Sequence, residues 1–165
     1  MKREALYFVG IALFLWTMTS GCAVTEKALF KPVPAVQECS NEYYKANIEP
    51  IELRKGFKLF IFNKTKQELE LDWNRTYFIA NGQTSGGFMF EGIMYKDRNN
   101  PKPPDIIFPK KLYVKAIMPN NLVEYKKGWD HKSMGSGEYG VLLSIKVDEK
   151  EVREKMLIKF VPRWK

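Results

Sequence analysis

Glu68-Leu69-Glu70-Leu71-Asp72-Trp73 decides the fold class. Successive side chains of a strand point to opposite faces, so this alternation sets Leu69, Leu71 and Trp73 inward and three carboxylates outward. Rows of acids can be catalytic or can hold calcium. On the exposed face of a strand, alternate carboxylates ordinarily serve solvation, and no chemistry is assigned to these.

The same period of two extends in both directions. Upstream, Phe57, Leu59 and Ile61 alternate with Lys58, Phe60 and Phe62. Both faces are apolar beyond the start of that segment, as expected of a central strand. Asn63 to Gln67 is turn-rich. Downstream, Asn74-Arg75 interrupts the alternation and Thr76 to Ala80 resumes it. Asn81-Gly82 marks a tight turn, extended by Ser85-Gly86-Gly87, before an apolar run from Phe88 to Tyr95. These glycines lack the lysine and helix that a P-loop requires. The proline-rich stretch Asp97 to Asp105 cannot pair as a central strand. After Ile106-Ile107-Phe108-Pro109 comes a strand in which Leu112, Val114, Ala116 and Met118 alternate with Tyr113, Lys115 and Ile117. Pro119-Asn120-Asn121 terminates it, and an irregular stretch runs to about Glu138, with a short strand at Leu122 to Tyr125. The chain closes with a hairpin: Val141, Leu143, Ile145 and Val147 face one way, Asp148 to Glu151 turn, and Met156, Ile158 and Phe160 return.

About seven or eight short strands with regular turn signals and no long helix predict an all-β domain over residues 50–165. The expected form is an antiparallel β-sandwich, immunoglobulin-like in broad architecture. Trp73 resembles the core tryptophan of such domains, without the flanking cysteine pair of antibody domains. A closed barrel is the alternative. Hydrophobic residues at 45% and aromatics at 14% are ample for a core and exclude a disordered chain.

Ahead of the domain, residues 22–49 read as a tether. Pro32 and Pro34 sit there, periodicity is not sustained, and one helical turn is expected around Asn41 to Ala46. Residues 1–21 carry a different signature. Lys2 and Arg3 precede an apolar run from Ala5 to Trp16, and small residues Thr19-Ser20-Gly21 lead directly to Cys22. That order is a secretory signal, and its run is short of the ~20 residues that span a bilayer as a helix.

Thr19-Ser20-Gly21-Cys22 resembles the lipobox of bacterial lipoproteins, with Thr19 where that family usually carries an aliphatic residue. The resemblance implies cleavage before Cys22, lipidation of its thiol and acylation of its amine. Two or three acyl chains hold a protein stably to a membrane where one does not. Ala23, rather than an aspartate, after that cysteine implies by family analogy the outer membrane, facing the periplasm. Asn63-Lys64-Thr65, Asp72-Trp73-Asn74 and the loop from Asp97 to Pro104 also resemble a group of uncharacterised bacterial envelope lipoproteins, a resemblance that brings no activity with it. The alternative is ordinary secretion, in which Cys22 and Cys39 could close a short disulfide loop.

Charge then restricts partners. Lys and Arg number 27 against 19 Asp and Glu, for a net charge of +8. Such a balance often suggests nucleic acid, but an exported protein meets little of it. Anionic partners outside the cytoplasm are lipid headgroups, lipopolysaccharide and cell-wall polymers. Scattered lysines can equally serve solubility. A metal site is not expected, because one cysteine and His131 cannot supply the ligands zinc takes, and no cofactor motif is present.

Two functional readings follow. The first is a non-enzymatic envelope lipoprotein whose sandwich binds a protein or anionic polymer. Its candidate binding residues are Trp129, His131 and Tyr139 around the long loop, since aromatic side chains supply contact area at low entropic cost. The second is a hydrolase or carbohydrate-active domain using Asp130 and His131 as an acid-base pair. Neighbours in a strand point oppositely, so that pair requires a loop geometry.

Overall fold

The computed structural model describes residues 29–125 and 129–163. Residues 1–21, expected to be a signal sequence, and Cys22 lie outside the described residues. In chain order the strands are β1 (Phe30–Val33), β2 (Gln37–Ser40), β3 (Tyr44–Pro50), β4 (Phe57–Asn63), β5 (Leu69–Leu71), β6 (Tyr77–Ala80) and β7 (Gln83–Thr84). They continue as β8 (Phe88–Met89), β9 (Asp105–Ile107), β10 (Leu112–Pro119), β11 (Val123–Tyr125), β12 (Trp129–His131), β13 (Gly137–Val147) and β14 (Lys150–Pro162).

The chain folds as an antiparallel all-β sandwich. One sheet runs β1-β14-β13-β5-β9, with β6 beside β5 on the lower half of β13 and β7 beyond β6. The other runs β2-β3-β4-β10-β8, and β11-β12 form a small ribbon. Leu69, Leu71, Val141, Leu143, Ile145, Met156, Ile158 and Phe160 from the first sheet meet Tyr44, Ala46, Ile48, Phe57, Leu59, Ile61 and Ile117 from the second in one buried core. Trp73 joins that core, as the alternation around it requires. The β13-β14 hairpin is paired in register from Val147 opposite Lys150 to Gly137 opposite Phe160. Gly140 has no room for a side chain, because a Cβ there would stand 1.9 Å from the Met156 carbonyl oxygen. Asn81 and Gly82, both at positive φ, make the tight turn from β6 to β7.

The expected tether is corrected from Phe30 onward. β1 pairs with β14 at one edge, and β2-β3 enter the second sheet as paired strands. Tyr44, Ala46 and Ile48 are fully buried, so β3 contributes a full row to the core. The helical turn expected at Asn41 to Ala46 is a β-turn region instead. Asn41 Oδ1 accepts from the amides of Tyr43 and Tyr44, and the chain then extends.

Both chain ends of the domain sit at one end of the sandwich. Phe30 lies opposite Pro162, and the β3-β4 loop joins them around a cavity of about 380 Å³ lined by Phe30, Pro50 to Arg54, Phe160 and Arg163. The opposite end carries the β4-β5 and β9-β10 turns and the tip of the β13-β14 hairpin. There the Asn63 amide donates to Lys111 O, and Gln67 Nε2 donates to Asp148.

Candidate functional site

β10 departs from the simplest reading of its sequence. Its apolar row, Leu112, Val114 and Ala116, faces solvent, while Tyr113, Lys115 and Ile117 face the interior. Burying a charged lysine in preference to leucine and valine requires a partner for the ammonium. Asp105, on β9 in the other sheet, supplies it.

Asp105 Oδ2 receives three donors: Trp73 Nε1 at 2.8 Å, Tyr113 OH and Lys115 Nζ. The ammonium also lies 4.1 Å from the centre of the Phe90 ring and 5.4 Å from that of Trp73, two rings that themselves pack at 4.7 Å. Cation–π attraction adds to the ion pair in this setting. Partial burial pushes the Asp105 carboxyl up, but the hydrogen bonds from Lys115, Tyr113 and Trp73 outweigh it and hold the acid below its usual range. The Tyr113 hydroxyl moves the other way, raised by burial and by the carboxylate it donates to. The cluster therefore holds an ionised acid and a neutral phenol beside the Lys115 side chain. Every reactive group in it has a fixed partner, so its chemistry is that of a clasp joining the two sheets along one side.

The clasp has a consequence for the surface. β10 pairs with β4 from Leu112 to Ile117, whereas β8 covers its other side only at Met118 and Pro119. Because Lys111 O accepts from Asn63, the antiparallel alternation turns the amides of Tyr113, Lys115 and Ile117 toward β4. Those of Leu112, Val114 and Ala116 turn toward the open side. Among the described residues no strand pairs with them. Beside that edge the chain leaving β8 diverges, and a groove of about 520 Å³ opens between Glu91-Gly92 and Val114 to Met118. Sharing Glu91, Gly92 and Met118, it continues into a hollow of about 220 Å³ walled by Met89, Phe90 and Ile93 and ending at His131.

Of the residues singled out in the sequence, His131 lies in this hollow. It stands on β12 opposite Val123, and its Nδ1 is buried without a hydrogen-bond partner among the described residues. Burial, then the nearby Lys55, lowers its pKa, and Asp130 opposes them. Trp129 stands opposite Tyr125 in the β11-β12 ribbon, and its side chain lies outside the described residues. Tyr139 does not line the groove. It packs on Phe78 and Phe160, with ring centres 6.0 and 5.9 Å away, as part of the sandwich interior. Asp130 and His131 do not compose an acid-base pair in this geometry: Asp130 Oδ1 accepts from the amide of His131 and faces Lys55 Nζ at 3.7 Å. Cys39 lies half-buried in β2 opposite Ala46, its thiol pushed up to about 11 by burial first and Glu154 second. A thiol so shifted is a poor nucleophile.

The groove residues Glu91, Gly92, Val114 and Met118 and the clasp residues Asp105, Tyr113 and Lys115 carry no motif. The available signal was Lys115 in the middle of an apolar alternation. Among the described residues no group of three or more His, Cys, Asp or Glu could hold a metal ion. The chain matches no known family, no curated protein and no solved structure. What the site does therefore rests on its own geometry.

Proposed function

We propose that the protein is a bacterial envelope lipoprotein, anchored at Cys22, whose non-catalytic sandwich binds a protein or anionic polymer partner. The observation that carries the binding half is the open edge of β10, flanked by exposed apolar side chains and a groove. Leu112 is 60% exposed, Val114 43% and Phe62, directly across from Leu112, 39%. Contiguous apolar surface of this kind marks interaction sites. The anchoring half rests on Lys2-Arg3, the apolar run and Thr19-Ser20-Gly21-Cys22.

The two halves are compatible in space. Seven residues separate Cys22 from Phe30, a reach of about 28 Å at full extension. Phe30 marks the end of the sandwich where an anchored chain would enter, and β13, eleven residues and about 36 Å long, spans to the other end. Leu112 and Phe62 lie at that far end.

Intact mass of the protein purified from membranes, beside a Cys22→Ala variant, tests the anchor. The expected product begins at Cys22 and carries added acyl mass, and the variant loses both that mass and membrane retention. An unacylated protein two hydrogen atoms light, with Cys22 bonded to Cys39, would overturn it.

A further inference from the structure

We infer that the free edge of β10, Leu112 to Ala116, is a docking site for an extended, acidic segment of a partner protein, which adds as a strand beyond β10. The inference rests on the partner-binding reading above and specifies its site and chemistry.

Three features of the molecule converge on it. First, Leu112, Val114 and Ala116 present their amides and carbonyls to the open side in the spacing that an added strand uses. Proteins ordinarily guard such edges with inward-pointing charges or lysines on the edge itself. β10 has the inward lysine, but Asp105 neutralises it, and the residues that flank the edge outward are apolar. The guard is disarmed by the clasp.

Second, the outer face continues the edge. Across β4 and β10, Phe62 stands beside Leu112 and Phe60 beside Val114, giving an added strand two apolar rows to extend with its own outward side chains. Its inward side chains meet the groove between Val114 and Glu91-Gly92. Third, the field around the edge is positive. Lys110 and Lys111 lie immediately before it, Lys58 stands opposite Ala116, and Lys64 reaches the same end of the sheet. Lys64 and Lys110 donate to neutral oxygens, and among the described residues none of these four lysines forms an ion pair. Glu91 is the acid on the opposite wall. A segment carrying aspartate or glutamate between apolar residues satisfies both the ladder and the field, whereas a basic segment satisfies only the ladder.

The test uses the full chain in detergent and two fluorescent ten-residue peptides, one alternating valine with glutamate and one alternating valine with lysine. Anisotropy titrations are run on the wild type, on Val114→Pro, which removes an amide that faces away from β4, and on Val114→Lys, which restores an edge guard without altering the backbone. The acidic peptide is expected to bind at least tenfold more tightly than the basic one. Its affinity should fall with added salt and drop at least tenfold in both variants. Absence of binding by the acidic peptide, equal binding of the two peptides, or binding indifferent to both variants would overturn the inference. So would concentration-dependent self-association of the wild type that Val114→Lys abolishes, which would give the edge to a second copy of this chain. Membrane retention of the same variants is read in parallel: its loss would count against the anchored reading, and its persistence without peptide binding against the edge alone.

Discussion

The β13-β14 hairpin and β10 have the same kind of alternating sequence and opposite fates. In the hairpin the apolar row goes inside: Val141, Leu143, Ile145, Met156, Ile158 and Phe160 are all fully buried. In β10 the apolar row goes outside, and a tyrosine and a lysine take the interior. The hairpin is covered by β1 on one side and by β5 and β6 on the other, so any reversal there would turn Arg153, Lys155 and Lys159 toward the core. β10 lies at the open side, where Asp105 crosses from the other sheet. Alternation thus assigns two faces, but which face is interior depends on where polar side chains find partners.

The largest effect is expected in the hairpin. Phe160→Ala should cost about 3–5 kcal/mol in urea unfolding, because a fully buried ring is removed from a core that can relax only in part. A loss under about 1 kcal/mol would mean that the hairpin is not the packed centre. Asp105→Ala comes next, at about 2–3 kcal/mol, since it strands Lys115, Tyr113 and Trp73 without their shared acceptor in a partly exposed site. Repeated in a Lys115→Met background, the same change should cost less than half as much. Equal costs would show that the two residues do not act as a pair.

Acid sharpens the contrast further. The Asp105 carboxyl is held below its usual range in the fold, so the stability it contributes is present above the ordinary carboxylate pKa of about 3.9 and is lost as pH falls through its lower folded value. Asp105→Asn should flatten that part of the stability profile. His131 is also lowered, and a histidine disfavoured as a cation contributes fully above about pH 6.5 and loses that contribution as pH falls through its folded value. His131→Gln should remove the slope between pH 7 and pH 5, measured by chemical unfolding at each pH. The smallest effect is expected on the outer row. Val114→Thr should change stability by no more than about 0.5 kcal/mol, as for other exposed positions. A cost of 2 kcal/mol there would place Val114 in a core.

Much of the architecture was legible because its strands are two-faced and bounded by turn residues. Leu69, Leu71 and Trp73 went where their alternation sends them, and Asn81-Gly82 turned the chain as their tolerance of positive φ allows. β3 was missed although Tyr44, Ala46 and Ile48 alternate. Lys45, Asn47 and Glu49 between them are polar enough to read as linker, and the prolines ahead suggested a tether. In β10 one row contains a lysine, and only knowledge of where Asp105 arrives tells which row is interior. The groove was illegible for the same reason. It is made by β8 ending after two residues, and that length follows from tertiary packing. His131 was singled out as an aromatic side chain near the long loop, and its place beside Met118 was not deducible from spacing.

Residue-resolved amide hydrogen exchange along β10 would decide the matter. With the face and edge as described, the amides of Tyr113, Lys115 and Ile117 are protected by β4, while those of Leu112, Val114 and Ala116 exchange at rates typical of open amides. Uniform protection across all six, or the opposite alternation, would contradict both the clasp and the free edge it leaves.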